Sequence, residues 1–246
     1  MKTSEEKDPA GAELEQARLE RELGLVLEQA GLEAGRAIEP ALRSRPTTGR
    51  GRETVDRLLD AGLDVTAREG IRGVNTRAVA AEAGVNIATL YQYFEDIDSL
   101  LLAAVLRDHS VRSQMTTSMI LDLVGGMPLR EWIDSIIELM IERTVESERR
   151  RAVVKIAQAL PAVQPTVTLS WETGAKLLAI GFSFRYGEDP DEYWLPITRT
   201  INSTTRLVMD DAMLKTPTER DRVDRVVQMC FEYLEARVPA EPETAP

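Results

Sequence analysis

The segment Thr76–Phe94, TRAVAAEAGVNIATLYQYF, constrains this chain more than any other. Two short helices that cross tightly need a small residue at the crossing and, in the turn, a residue that tolerates φ > 0. They also need apolar side chains that pin the second helix to the first. Ala80, Gly84, Val85 and Leu90 supply these in order. Upstream, Val55, Leu58, Leu59, Gly62 and Val65 form one apolar or small-residue face, which predicts a helix from about Glu53 to Glu69 with Gly70 as its stop. Asn75 or Thr76 suits the cap of a second helix ending at Ala83, and Asn86 the cap of a third, short helix through Tyr93. A fourth begins near Asp96, where Asp96 and Asp98 complement a helix N-terminus. This arrangement is a helix-turn-helix, which presents the N-terminal residues of its last helix to a DNA major groove.

Charge bears on that reading. The net charge of −11 argues against a nucleic-acid binder, because phosphate contacts need Lys and Arg. The distribution reverses the inference. From Ala41 to Arg77 there are eight arginines and five acids, a window of +3 that leaves −14 for the rest. A basic head on an acidic body favours one docking orientation on DNA.

The same residues carry a family resemblance. Ala83-Gly84-Val85 in the turn, Thr89 ahead of Leu90-Tyr91, Phe94 closing the unit and Leu100 six residues later resemble the TetR family of bacterial regulators. The resemblance covers about Arg52 to Leu101. It implies that Thr76 bonds a phosphate, that Arg77 contacts a phosphate or a base edge, and that Thr89 and Tyr91 hold the DNA backbone. Asn86, Ile87, Ala88 and Gln92 would face bases, Gln92 suiting an adenine edge and Ile87 or Ala88 a thymine methyl. Tyr93 would stack or bond at the phosphate edge. Asn86 and Thr76 also read as simple helix caps, and Tyr91 as a core residue with an exposed hydroxyl. Two positions depart from the family pattern: Ile97 and Ile87 stand where lysine is usual. Between Ala78 and Asp98 there is no Lys or Arg. The segment 43–52, with Arg43, Arg45, Arg50 and Arg52, reads as a basic flexible arm that offsets this loss.

The whole chain is expected to be all-α: an extension at 1–50, partly helical; the three-helix DNA-binding unit at 51–98; a helical ligand-binding and dimerisation domain at 99–240; and a disordered tail at 241–246. Residues 1–10 are expected to be disordered. Residues 12–39 read as a helical stretch weakened by Gly24, Gly31 and Gly35 and ended by Pro40. Five or so helices should follow residue 112, the last opened by the capping box Thr216-Pro217-Thr218-Glu219.

The resemblance implies that the C-terminal domain holds a small molecule and pairs with a second copy. Apolar stripes on the last two helices, Ile197, Ile201, Leu207 and Val208 with Val223, Val226, Val227 and Phe231, read either as a two-fold interface or as the chain's own core. Met115, Met119, Trp132, Met140, Trp171, Phe182 and Phe184 suit an adaptable pocket for an apolar or amphipathic ligand, and equally suit plain core. No cofactor, metal site or catalytic residue is expected. The one cysteine, Cys230, lies among apolar neighbours, and the one histidine, His109, has no nucleophile or metal motif around it. No apolar run approaches the roughly 18 residues of a membrane span, and the N-terminus lacks a signal-peptide pattern. The expectation is a cytoplasmic homodimeric repressor that leaves a palindromic double-stranded operator when its ligand binds. A regulator controlled instead by a protein partner at residues 12–39 is the alternative.

Overall fold

A computed structural model describes residues 9–38, 42–140, 147–213 and 220–239. Among them there are ten α-helices and no strand. They run α1 (Pro9–Ile38), α2 (Gly49–Glu69), α3 (Thr76–Glu82), α4 (Ile87–Tyr93), α5 (Ile97–Val124), α6 (Leu129–Met140), α7 (Glu148–Ala159), α8 (Gln164–Tyr186), α9 (Leu195–Met213) and α10 (Arg220–Glu235). Five of them follow residue 112, as the proline punctuation predicts. The capping box at 216–219 and the tail at 241–246 lie outside the described residues.

Local chemistry sets the boundaries of the head, α2 to α4. The Thr48 side chain accepts the Gly51 N–H, so α2 starts at Gly49, four residues before the predicted start. Asn75 accepts from the Ala78 N–H, Asn86 from the Ala88 N–H and Asp96 from the Ser99 N–H, opening α3, α4 and α5 in turn. Gly84 joins α3 to α4 at φ +64°, a conformation that side chains other than glycine rarely adopt. Val55, Leu58, Val65, Val79, Leu90, Phe94 and Leu100 are all buried beneath these elements. At Gly62 an added Cβ would stand 2.6 Å from Leu100 Cδ2, so α5 approaches α2 through the missing side chain.

The apolar interior of the head does not stop at the predicted domain boundary. It continues through Ala152, Val153 and Ile156 of α7 to Val167 and Trp171 of α8. A second cluster fills the far end of the body. There Trp132, Phe182, Trp194 and Phe231 meet ring to ring, with Trp132–Phe182 centroids 5.6 Å and Phe182–Trp194 centroids 5.2 Å apart. Each indole is satisfied: Trp132 Nε1 donates to the Met119 carbonyl and Trp194 Nε1 to that of Gly187, both at 2.7 Å. α8 is the central post of the body, packed by α5, α9 and α1.

α1 is one unbroken helix despite its glycines, and it begins at Pro9, inside the stretch expected to be disordered. Tertiary burial overrides weak local propensity here. Leu19 and Leu23 are buried against Ile120 of α5 and Leu177 of α8 in a third cluster.

Candidate nucleic-acid interface

The α3–Gly84–α4 unit carries an outward surface on a rigid base. Leu90 is buried and anchors α4, while Asn86, Ile87, Ala88, Tyr91 and Gln92 are exposed and Thr89 is half-buried. Exposure of Ile87 (38%) and Tyr91 (41%) leaves two large side chains in water on a helix of seven residues. The Tyr91 hydroxyl lies 3.2 Å from the Thr76 hydroxyl, so two residues assigned to the DNA backbone meet at one edge of the surface. Arg77 is exposed one residue further along α3.

Tyr93 corrects the expectation. It is 8% exposed, and its hydroxyl lies under the start of α2, 3.2 Å from where a Gly51 Cβ would stand. Its side chain belongs to the core of the head. Leu90, Tyr93 and Phe94 share one helical face at i, i+3, i+4, a spacing that carries this information in the sequence.

The basic arm is corrected as well. Arg50 and Arg52 are exposed, but they ride on the first turn of α2 and not on a flexible linker. The preceding residues are docked. The Arg43 N–H donates to the Tyr93 carbonyl at 2.8 Å, and the Ser44 hydroxyl donates to the Gln92 carbonyl at 2.7 Å. These are carbonyls that the end of α4 leaves without helical partners. Arg43 and Arg45 are therefore exposed beside the end of the recognition surface. Arg57 was not singled out in the sequence; its guanidinium donates to the Ala83 carbonyl at 3.3 Å and braces the turn from α2. No spacing rule connects residues on two helices 26 positions apart.

Three comparisons bear on this geometry. Residues 58–104 match the family model described as bacterial regulatory proteins, tetR family. The HTH-type transcriptional repressor KstR of Mycolicibacterium smegmatis is 38% identical over 77 residues, 31% of this chain and 37% of that protein. The KstR of Mycobacterium tuberculosis is 41% identical over 59 residues, 24% of this chain and 27% of that protein. This chain thus spans well under half the length of the curated relatives it matches. A structure described as a TetR-family transcriptional regulator from Mesorhizobium loti superposes with a TM-score of 0.60 at 16% identity, covering 75% of this chain and 98% of the other. SmeT, described as the repressor of the Stenotrophomonas maltophilia multidrug efflux pump SmeDEF, superposes at 0.54 with 20% identity, covering 79% and 98%. Residues 58–104 thus carry the sequence pattern of the tetR-family regulators, and the chain shares the fold of these solved structures.

Below this surface an ionic cluster joins the head to the body. Arg149 of α7 grips Asp64 of α2 with two bonds of 2.6 and 2.8 Å and reaches Asp60 at 3.2 Å. Arg107 of α5 meets the same Asp60 at 2.6 Å and the Asp56 carbonyl at 3.1 Å. Behind it, within the body, Arg150 of α7, only 8% exposed, pairs with Asp108 of α5 at 2.6 Å. The Asp64 carboxylate, hydrogen-bonded to Arg149, holds that guanidinium even more firmly protonated than usual.

The body residues singled out in the sequence fall into separate places. Trp132 and Phe182 come together, with Met119 packed against the same cluster. Trp171 lies with the head cluster, and Phe184 faces α1, where the Arg18 guanidinium sits 5.3 Å from its ring centroid. Met115 is half-buried, and the side chains of Met140 and His109 lie outside the described residues. Successive positions on α8 rotate by about 100°, so side chains of one central helix serve three clusters.

The proposed interface stripe divides in two. Ile197, Ile201, Val223, Val227 and Phe231 are buried in the chain's own core and present nothing to a partner. Val208 and Val226 are half-buried, and Leu207 is 70% exposed. Met229 and Tyr233, not singled out in the sequence, are exposed on the outer side of α10 in line with Val226. Cys230 is buried, and burial pushes its thiol pKa up, which keeps it protonated.

Proposed function

We propose that this protein is a homodimeric DNA-binding transcriptional repressor that leaves a palindromic operator when a small apolar or amphipathic molecule binds its body. The observation that carries this reading is the outward surface of α4: exposed side chains on a rigidly capped seven-residue helix, with exposed arginines on both sides. Thr76, Arg77, Thr89 and Tyr91, together with Arg50 and Arg52 on α2, supply the backbone contacts that set register. Asn86, Ile87, Ala88 and Gln92 face the bases. The relatives support repression, since KstR is a transcriptional repressor and SmeT is described as one. They support a ligand too: SmeT has been solved with triclosan, and EbrR, described as a multidrug binding protein, with malachite green. The protein works in the cytoplasm, where its operator lies; no helix among the described residues is long and apolar enough to cross a membrane.

One short helix reads few base pairs, and a two-fold partner supplies the mirrored half-site. The outer row Leu207, Val226, Met229 and Tyr233 is the surface on which the second copy sits. Met229→Glu with Tyr233→Glu is expected to give a monomer by sedimentation, and a dimer that persists overturns this placement. The function itself is tested by selecting bound sequences from random DNA with the full chain, then screening small molecules for release. A palindromic consensus released by an apolar compound is the expected result. Enrichment of no sequence defeats the proposal.

A further inference from the structure

We infer that α4 reads its half-site through A·T pairs, with thymine methyls against Ile87 and Ala88 and an adenine edge against Gln92, and makes no bidentate guanine contact. This rests on the DNA-binding reading above and names the class of operator that reading requires. The argument is one of elimination on the exposed face of α4.

Five side chains are exposed there: Asn86, Ile87, Ala88, Tyr91 and Gln92. The usual specific contact to guanine is a bidentate one from Arg or Lys to O6 and N7. No Arg or Lys occurs between Ala78 and Asp98, so α4 has no such donor. Asn86 has its amide oxygen bonded to the Ala88 N–H at 2.9 Å. A bidentate contact to adenine needs the amide's oxygen and nitrogen together, and only the nitrogen is left. The Tyr91 hydroxyl is paired with Thr76 at the edge nearest α3. Gln92 is exposed, and among the described residues its side chain has no hydrogen-bond partner; only its backbone carbonyl is engaged, by Ser44. It retains the full donor-acceptor pair that fits adenine N6 and N7.

Ile87 and Ala88 are the remaining pair. They stand together at the start of α4 with no charged neighbour on that helix. An exposed isoleucine beside an exposed alanine is apolar surface that a protein core does not cover. Among the groups that base pairs display in the major groove, the thymine C5-methyl is the apolar one. The chemistry of the protein surface and of that groove position therefore match, and the position where the family pattern has lysine carries a methyl reader instead.

The test uses the full chain and the operator obtained by selection. Each thymine in the half-site is replaced by uracil, which removes the C5-methyl and leaves base pairing unchanged. Removing one buried methyl contact per half-site is expected to weaken binding about 4-fold, and about 15-fold when both halves are altered. Ile87→Ala, at an exposed position, should fold as the parent does by circular dichroism and bind the thymine and uracil operators alike at that site. Replacing an adenine by 7-deazaadenine, which lacks N7, should weaken the parent about 10-fold and leave Gln92→Ala unaffected. Indifference to uracil at every thymine overturns the inference. So does a half-site whose conserved guanines lose their effect in Ile87→Ala or Gln92→Ala. A chain that selects no sequence at all overturns the DNA-binding reading itself, so the two failures are distinguishable.

Discussion

The two arginine-bearing surfaces of the molecule contrast with each other. At the α3–α4 surface the cations stand at the margins, on α2 and at the start of α3, and α4 itself has none. At the junction of head and body and just behind it the arginines are central: Arg107 and Arg149 meet carboxylates of α2, and Arg150 of α7 meets Asp108 of α5, each at 2.6 Å. A family pattern that usually puts lysine at 87 and 97 is here neutral at both. The contrast teaches that positive charge in this chain serves two separate tasks. The marginal arginines stand in water, where salt screens them. Arg107 and Arg149 fix the head on the body, and the buried Arg150 behind them is the one that salt screens least.

The largest expected effect breaks the buried pair between α7 and α5, behind the junction. Arg150→Ala leaves the Asp108 carboxylate, itself only about a quarter exposed, without its partner. The loss should be about 3 kcal/mol in urea unfolding. Replacing both partners together, Arg150→Met with Asp108→Leu, should recover most of it. A single substitution costing under about 0.5 kcal/mol would mean that apolar contacts alone hold α7 against α5.

The marginal set comes next. Arg50→Ala with Arg52→Ala should lower operator affinity by about 10- to 30-fold near physiological salt. It should also reduce the slope of log K against log[salt] by about 3 to 4, because each of two protomers loses two phosphate contacts. An unchanged slope would show that these side chains do not meet phosphate, while the melting temperature should hardly move.

Asp96 caps α5, the helix that runs from the head into the body. Hydrogen bonds from the Ser99 backbone N–H, and then from the Ser99 hydroxyl, hold its carboxyl below the usual range. A carboxyl depressed in the folded state stabilises above its unfolded pKa of about 3.9, and the gain fades as pH falls through the lower folded value. Asp96→Ala is expected to cost about 1 kcal/mol at pH 7. The gap between Asp96→Asn and parent should narrow below about pH 4. A gap that widens on acidification would contradict the cap.

The smallest effect sharpens the comparison. Arg149 is half exposed. Even its two-bonded pair with Asp64 should be worth only about 0.5 to 1 kcal/mol. Raised salt should erase it in Arg149→Ala relative to parent, whereas the Arg150 deficit should persist.

The head was legible because its signals are local. Asn75, Asn86 and Asp96 cap as their residue types predict, and Gly84 stands at the turn that needs it. Thr48 was equally visible as a cap, yet the arginines around it suggested a linker and shortened the predicted α2. Tyr93 was misplaced because its residue type suits DNA contact, although its spacing from Leu90 and Phe94 marks the core. In the body, periodicity identifies an apolar stripe without saying what covers it. Val223, Val227 and Phe231 make the stronger row on α10 and face inward. The weaker outer row, Val226, Met229 and Tyr233, is interleaved with it. The junction pairs had no signal, since Arg149 and Asp64 are 85 residues apart.

The packing of α1 has a topological consequence. Its buried Leu19 and Leu23 tie it to α5 and α8, both of which belong to the body. From Ile38 the chain crosses to the head, and it returns to the body along α5. The head is thus a guest inserted into its host and attached at both ends, not a lobe hanging from one linker. One attachment would leave a swivel in any direction; two attachments over a shared core remove that freedom and make the head part of the body's frame.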